Sequence, residues 1–188
     1  MELSDRLATE SVPAYLSRFV TLYPDIQNWY AKVLSEVAAG KRSIFLALRD
    51  REICGLAIAK FGWHAKLCHI SIAPNERAHG LGRLMMEVAL AEMLVQGAGR
   101  VHVTTGEEVA SEYGAFFGQY GFVCSTWQRH RYRRGYDELV WAASAYQLKA
   151  RLMQRSELAV RYASCQDRPA RPTPYATAVC AMRLTLLQ

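Results

Sequence analysis

The stretch Ile72-Ala-Pro-Asn-Glu-Arg77-Ala-His-Gly80-Leu-Gly82-Arg83 joins a strand-like segment to a helix-like one. Pro74 should end the strand, and from Gly80 onward apolar residues recur at helical spacing. Gly80 and Gly82 can adopt positive φ angles and let the main chain approach a ligand closely. Amides that converge at a helix N-terminus bind anions, because the helix dipole favours negative charge there. The stretch therefore predicts a phosphate or pyrophosphate cradle, flanked by two arginines that can add charge-assisted hydrogen bonds.

Two better-known phosphate motifs do not fit this stretch. A dinucleotide fingerprint needs a third glycine and an acidic residue in an early βαβ unit, and both are missing. A Walker loop needs Gly-Lys followed by Ser or Thr, which does not follow here. The predicted cradle therefore belongs to another class of anion-binding protein.

The segments around the cradle predict a mixture of helices and strands. Pro24-Asp25 opens a helix whose apolar residues repeat at helical spacing as far as Gly40. A strand follows the helix that begins at Gly80, and this strand–loop–helix–strand order predicts a right-handed crossover with parallel pairing. The expected strands are 43–48, 53–61, 67–72, 101–105, 122–132 and 136–141, and a short helix is expected over 111–119.

After Trp141 the sequence changes character, so we expect one domain over residues 1–141 and a basic C-terminal extension over 142–188. The extension predicts a helix over 142–162, a proline-rich linker over 168–174 and a last strand within 175–187. It holds 7 Lys and Arg against 2 Asp and Glu, whereas the first 141 residues hold 16 against 15. This basic segment indicates either an anionic partner such as nucleic acid or an ordinary solvated surface.

The composition is that of one globular domain. The chain has 188 residues, 51% of them hydrophobic and 21% charged, which is too apolar for a disordered protein. No apolar run is long enough to span a bilayer, and the acidic first residues predict no signal peptide. The five cysteines lie far apart, which argues against a disulfide framework or a zinc site. We expect a cytoplasmic protein with reduced thiols and no metal.

Two motifs resemble a known family. The pattern Arg77-x-x-Gly80-x-Gly82 is similar to the R/Q-x-x-G-x-G/A signature of the GNAT acyl-CoA-dependent N-acetyltransferases. About forty residues later, Phe116-Phe-Gly-Gln-Tyr-Gly121-Phe122 resembles the family's F-Y-x-x-x-G-F segment. The resemblance covers residues 22–141. It implies an α/β (α+β) GNAT fold, with a mixed central sheet, splayed parallel strands and flanking helices.

The resemblance also implies a cofactor and a reaction. Acetyl-CoA, or another acyl-CoA, would lie between the splayed strands, and an unprotonated amine would attack its thioester in a ternary complex. A strand amide would stabilise the oxyanion. The pantetheine would bind main-chain groups of Ile70, Ser71, Ile72 and Ala73. The pyrophosphate would bind at Arg77, Ala78, His79, Gly80, Leu81, Gly82 and Arg83.

The sequence departs from the family pattern at two polar positions. The tyrosine that often protonates the leaving thiolate is replaced by Phe117, and the asparagine that often precedes it by Ala110. Tyr113 and Tyr120 lie about one helical turn before and after Phe117, so both are candidate general acids. Tyr120 could instead be an aromatic residue of the hydrophobic core. Two other outcomes stay open: transfer without an enzymic acid, or a non-catalytic domain that binds CoA or nucleic acid.

Candidate bases come from the third strand and from the loop after the parallel strand. Strand alternation places His69 and Ser71 on one face and Cys68 and Ile70 on the other. His69 would be the catalytic base or a structural residue. The further candidates are His64, Glu107 and Glu108.

The last hairpin predicts an acceptor site. Alternation along the strand 122–132 would place Arg129, Arg131 and Arg133 on one face, beside Trp127. Such a face could hold a phosphate backbone and stack a base, so an RNA- or DNA-linked amine is one predicted acceptor. The alternatives are a charged outer strand, a small amine or a protein amine. The apolar end of the extension could also dock a second copy and form a homodimer.

Overall fold

The computed structural model describes residues 7–132, 134–164 and 178–182. Over these residues the chain forms five α-helices and seven strands. The helices are α1 (Val12–Leu16), α2 (Ile26–Ala38), α3 (Leu81–Val95), α4 (Ala110–Gly118) and α5 (Ala145–Ser164). The strands are β1 (Arg42–Arg49), β2 (Glu52–Lys60), β3 (His64–Ile72), β4 (Arg100–Gly106), β5 (Val123–Arg129), β6 (Asp137–Ser144) and β7 (Ala178–Met182).

The described strands form one mixed sheet in the order β5-β6-β4-β3-β2-β1-β7. Strands β3 and β4 are parallel, joined through α3, and the other neighbours are antiparallel. The predicted parallel crossover is therefore confirmed. Its physical basis is the length of the α3 connection, since a short hairpin turn cannot join parallel strands.

Helices cover both faces of the sheet. Alternate residues of β1 and β2 point to opposite sides, so Ile44 and Ile58 pack against α1 and α2, while Phe45 and Ala57 pack against α3. We call these the N-terminal face and the α3 face. The α3 face also packs α4 and α5, through Phe117 and other buried side chains of its core.

The C-terminal elements differ from the prediction in two ways. Strand β6 runs to Ser144, so the predicted boundary at Trp141 falls inside it, and α5 begins at residue 145 rather than 142. The predicted last strand is confirmed over Ala178–Met182, where it pairs with β1. The predicted linker at 168–174 lies outside the described residues.

Strands β3 and β4 separate beyond their fourth rung. Their pairing runs from His64↔Arg100 to Leu67↔Val103, after which β3 continues beside β2 and β4 continues beside β6. The separation begins at a register irregularity in β3, where Ile58 opposes His69 and Ala59 opposes Leu67. Because a bulge bends its strand, this irregularity turns β3 away from β4 and opens a V-shaped gap.

In the described part of the chain, no helix has the length and apolar character needed to cross a membrane.

Candidate functional site

One wall of the gap consists of main-chain groups of β3. The Ala73 amide donates to Cys54 O of β2 at 2.9 Å. In an antiparallel ladder the hydrogen-bonding side alternates, so Ser71 also turns its main-chain groups toward β2. Ile70 and Ile72 therefore direct theirs toward the gap. Of the four residues that the resemblance implied, only these two present main-chain groups to it.

The predicted cradle lies where β3 leads into α3. Gly80 has φ +81° and ψ −4°, a left-handed conformation that starts α3, and no side chain caps this helix in the described structure. The first amides of a helix have no partner within it, so those around Gly80 to Arg83 can receive an anion. Ala78 also has a positive φ, +64°, which turns the loop before the helix. The loop residues Arg77 to Gly80 are exposed.

Gly82 joins the cradle to the gap. A Cβ added to Gly82 would meet Ile72 Cγ1 at 3.6 Å, an ordinary van der Waals contact. The first turn of α3 therefore lies directly beside the end of β3, and a large side chain at position 82 would extend into this space. Leu81 is buried and packs with the α3-face core, as an anchor beneath the loop.

Two side-chain contacts hold the loop in place. Glu76, almost fully buried, forms an ion pair with Arg49 at the end of β1. Arg77 Nε donates to Ile72 O at 3.4 Å, at the mouth of the gap. Arg83 is exposed in the first turn of α3. Among the described residues, the cradle therefore combines main-chain amides with two arginines and no acid other than the paired Glu76.

The aromatic residues of α4 separate into core and half-exposed groups. Phe117 is buried and touches Phe122 and Trp141, so it belongs to the core. Tyr113 is half-buried and stacks on Phe117, with ring centroids 6.2 Å apart. Tyr113 is thus the α4 tyrosine that retains access to solvent.

Tyr120 is a buried core residue rather than a cleft residue. Its hydroxyl donates to Glu87 Oε1 of α3 at 3.4 Å, and the Arg155 guanidinium lies over its ring at 4.6 Å. Burial, together with the Glu87 charge, raises the pKa of Tyr120 to about 12. These contacts place the hydroxyl between α3 and α5, which supports the core-aromatic interpretation of Tyr120.

His69 and Ser71 share the N-terminal face, as alternation predicts. His69 Nε2 lies 2.7 Å from Ser71 Oγ, and the imidazole packs edge-on against Phe19. Burial lowers the pKa of His69 to about 4, so the ring is neutral at pH 7. The prediction for Cys68 is wrong: the bulge places it on the N-terminal face too, where Arg42 Nη1 donates to its sulfur at 3.2 Å.

The other candidate bases lie away from the contact between His69 and Ser71. His64 is exposed at the start of β3, before the gap opens. Glu107 and Glu108 are exposed just after β4, and Glu107 Oε1 accepts the Asp137 amide at 3.3 Å. Glu107 therefore holds the start of β6 in place.

The predicted arginine face is only partly formed. Strand β5 ends at Arg129, His130 has a positive φ of +49°, and Arg131 lies in the turn that follows. The single-strand alternation predicted for these arginines is therefore wrong from residue 130 onward, because the chain leaves the strand. Arg133 lies outside the described residues. Trp127, on the edge strand, is 67% exposed.

Sequence reasoning missed a cluster at the apex of the gap. The Lys66 ammonium donates to the hydroxyl of Tyr132 at 2.8 Å. Lys66 pairs with His102, one position before Leu67↔Val103, the last residue pair of β3 and β4. Thr104 is the first residue of β4 after that last pair. Nothing in the local pattern signals this contact, because it joins residues 66 positions apart.

The comparisons with known proteins agree with this geometry. The sequence profile of the acetyltransferase (GNAT) family matches residues 5–122, which is more than half of the chain. A comparison with curated proteins found no matching sequence.

Solved structures share the fold at low sequence identity. A GNAT-family acetyltransferase from Desulfovibrio desulfuricans is 20% identical, with a TM-score of 0.55, over 63% of this chain and 78% of that chain. The ribosomal-protein-S18-alanine N-acetyltransferase of Escherichia coli is 20% identical, with a TM-score of 0.53, over 61% and 76%. A GNAT acetyltransferase from Elizabethkingia anophelis with acetyl-CoA bound is 13% identical, with a TM-score of 0.50, over 59% and 81%. With the splayed sheet, the signature loop and the family profile in agreement, this chain belongs to the GNAT acetyltransferase family.

Proposed function

We propose that this protein is an N-acetyltransferase that moves the acetyl group of acetyl-CoA to an amine. The observation that carries the proposal is the gap between β3 and β4, which opens beside the uncapped N-terminus of α3. A long ligand with a diphosphate and an amide-bearing arm fits this arrangement, because the diphosphate meets helix amides while the arm meets the main-chain groups of Ile70 and Ile72.

The residues at the site support direct transfer. The amide groups of Ile70 and Ile72 can stabilise negative charge that develops on a thioester oxygen in the gap. Tyr113 is the candidate for protonating the leaving sulfur, in place of the family tyrosine that Phe117 replaces. His69 is the candidate base on the N-terminal face, although its low pKa makes the imidazole a weak one.

Calorimetry with acetyl-CoA tests the cofactor site. Gly82→Trp should fill the space beside Ile72 and remove about two charge-assisted hydrogen bonds of about 1.5–3 kcal/mol each, a loss of affinity of about 10²- to 10⁴-fold. Gly82→Ala should bind nearly as well as the wild type, because its Cβ makes an ordinary contact. Gly118→Trp is the matched control, since a Cβ there meets nothing within 4 Å. Absence of binding by the wild type at millimolar acetyl-CoA would reject the proposal.

A non-catalytic CoA-binding domain is the second candidate function. The observation in its favour is Phe117, a buried residue that cannot supply the proton of the family tyrosine. The two functions differ in turnover: a transferase releases CoA thiol when amines are added to acetyl-CoA, and a binding domain does not. Thiol release by the wild type would therefore exclude this second candidate.

For the acceptor, we propose a nucleic-acid-linked amine. Arg129, Arg131 and Trp127 are exposed at the β5 end of the sheet and combine positive charge with a stacking surface. The double substitution Arg129→Ala and Arg131→Ala should make the slope of log tRNA affinity against log salt concentration less steep by about two, because about two phosphate contacts are lost. Lys32→Ala, which removes an exposed charge on α2, is the control. An unchanged salt slope would favour a small amine or a protein amine instead.

A further inference from the structure

We propose that the ionised phenol oxygen of Tyr132 is the group that removes a proton from the acceptor amine, held at the apex of the gap by Lys66. The inference rests on the proposed acetyl transfer and adds a residue that the resemblance did not supply. Only the folded chain brings the β5–β6 turn next to the point where β3 and β4 separate.

The position of the hydroxyl follows from the sheet. Leu67 and Val103 point to the α3 face, so their neighbours Lys66 and Thr104 point to the N-terminal face. Lys66 lies one residue pair before the last pair of β3 and β4, so its 2.8 Å hydrogen bond holds the phenol on the N-terminal face near the point where the two strands separate. The phenol therefore sits where the gap begins, on the face opposite α3.

The surroundings of the phenol favour its ionised form. The Lys66 ammonium is 2.8 Å from the hydroxyl, and the Arg131 guanidinium lies over the ring at 5.5 Å. Burial raises the pKa of Tyr132, but donation from Lys66, Arg131 and Thr104 outweighs burial and lowers it below the ordinary value. The other aromatic neighbour, Tyr23, packs edge-on with a centroid distance of 6.4 Å. The nearby acid of the turn, Asp137, lies 4.0 Å from His130.

The same charges act on the acceptor. Lys66 and Arg131 repel an ammonium ion, so they lower the pKa of an approaching amine as well as that of the phenol. One ammonium proton passes to the Tyr132 phenolate oxygen, and the freed nitrogen lone pair forms a bond to the thioester carbon. The carbon–sulfur bond breaks with its electron pair on sulfur, which takes the Tyr113 proton, while the second nitrogen proton leaves to solvent, from which Tyr113 is reprotonated.

Three measurements on the full-length protein test the role of Tyr132. The first is thiol release from acetyl-CoA in a mixture of total aminoacyl-tRNA, glycinamide, putrescine and a peptide with a free N-terminus. Tyr132→Phe keeps the ring and its contact with Tyr23, so acetyl-CoA binding by calorimetry should be unchanged. Turnover should fall about 100-fold or more, and the increase of the rate with pH should disappear. Tyr146→Phe, at an exposed position of α5, should behave as the wild type.

The second measurement reads the phenol directly. In protein labelled with 3-fluorotyrosine, the ¹⁹F resonance that Tyr132→Phe removes should titrate at lower pH than N-acetyl-3-fluorotyrosinamide. The third measurement repeats the titration with Lys66→Met, which should move it to higher pH because the neighbouring positive charge is lost. A merely structural tyrosine would leave the pH profile of turnover unchanged.

The outcomes separate this inference from the proposed function. Turnover with the same rate and pH profile in Tyr132→Phe would overturn the inference and leave the transferase proposal intact. A Tyr132 resonance that titrates at or above the reference compound would also overturn it. Wild-type protein that binds acetyl-CoA without turnover, or does not bind it, would overturn the transferase proposal, and the inference with it.

Discussion

The ion pair between Glu76 and Arg49 should hold the cradle against the end of β1. Glu76 follows the turn that ends β3 and directly precedes Arg77, so its carboxylate fixes the start of the loop. Glu76→Gln removes the charge and keeps the size. Breaking a buried pair costs about 3–5 kcal/mol, and a surface pair contributes about 0–1 kcal/mol. Because Glu76 is 7% exposed and Arg49 is 32% exposed, we expect an intermediate loss of about 2 kcal/mol in the free energy of unfolding.

Calorimetric or circular-dichroism melting measures this loss. For a chain of this length, about 2 kcal/mol corresponds to a decrease in Tm of about 4–8 °C. Acetyl-CoA affinity should fall a few-fold as well, because the loop amides lose their fixed position. Glu52→Gln, an exposed acid at the start of β2, is the matched control. If Glu76→Gln melts within 1 °C of that control, or if a cycle with Arg49→Gln is additive, the loop is not held by this pair.

Three further substitutions test the site. Ala78→Gly should stabilise the protein by about 0.5–1 kcal/mol in urea denaturation, because Ala78 has a φ of +64°; a loss of stability would contradict the left-handed loop. Burial lowers the pKa of His69 to about 4 in the folded protein, so as the pH falls below 6.5 the unfolded chain takes up this proton before the folded protein does. The wild type should therefore lose about 2–3 kcal/mol in the free energy of unfolding by pH 4. His69→Asn should lack that part of the acid sensitivity, and equal pH dependence of the two proteins would refute the assignment. Tyr113→Phe should slow thiol release about 10²-fold or more, whereas Tyr120→Phe should change it less than about threefold; the reverse order would return the acid role to Tyr120.

The amino-acid pattern alone predicted most elements and their order. Helix α2 begins after Pro24-Asp25, and α3 begins at Gly80, because proline, aspartate and glycine act on the main chain within one turn. The parallel pairing of β3 and β4 also followed from the pattern, since the order of elements restricts the handedness of the crossover. The anion cradle could be predicted for the same local reason.

The details that determine chemistry required contacts between distant residues. The bulge in β3 depends on its register with β2, and it decides both where the gap opens and on which face Cys68 lies. The alternation of hydrogen bonds with β2 decides that Ile70 and Ile72, rather than Ser71 and Ala73, face the gap. The meeting of Lys66 with Tyr132 depends on where the β5–β6 turn crosses the sheet. Local propensity and spacing act over a few residues, so they predict helices, strands and the cradle. Register, strand separation and the position of a phenol come from pairing energies summed over the whole sheet, which only the folded chain defines.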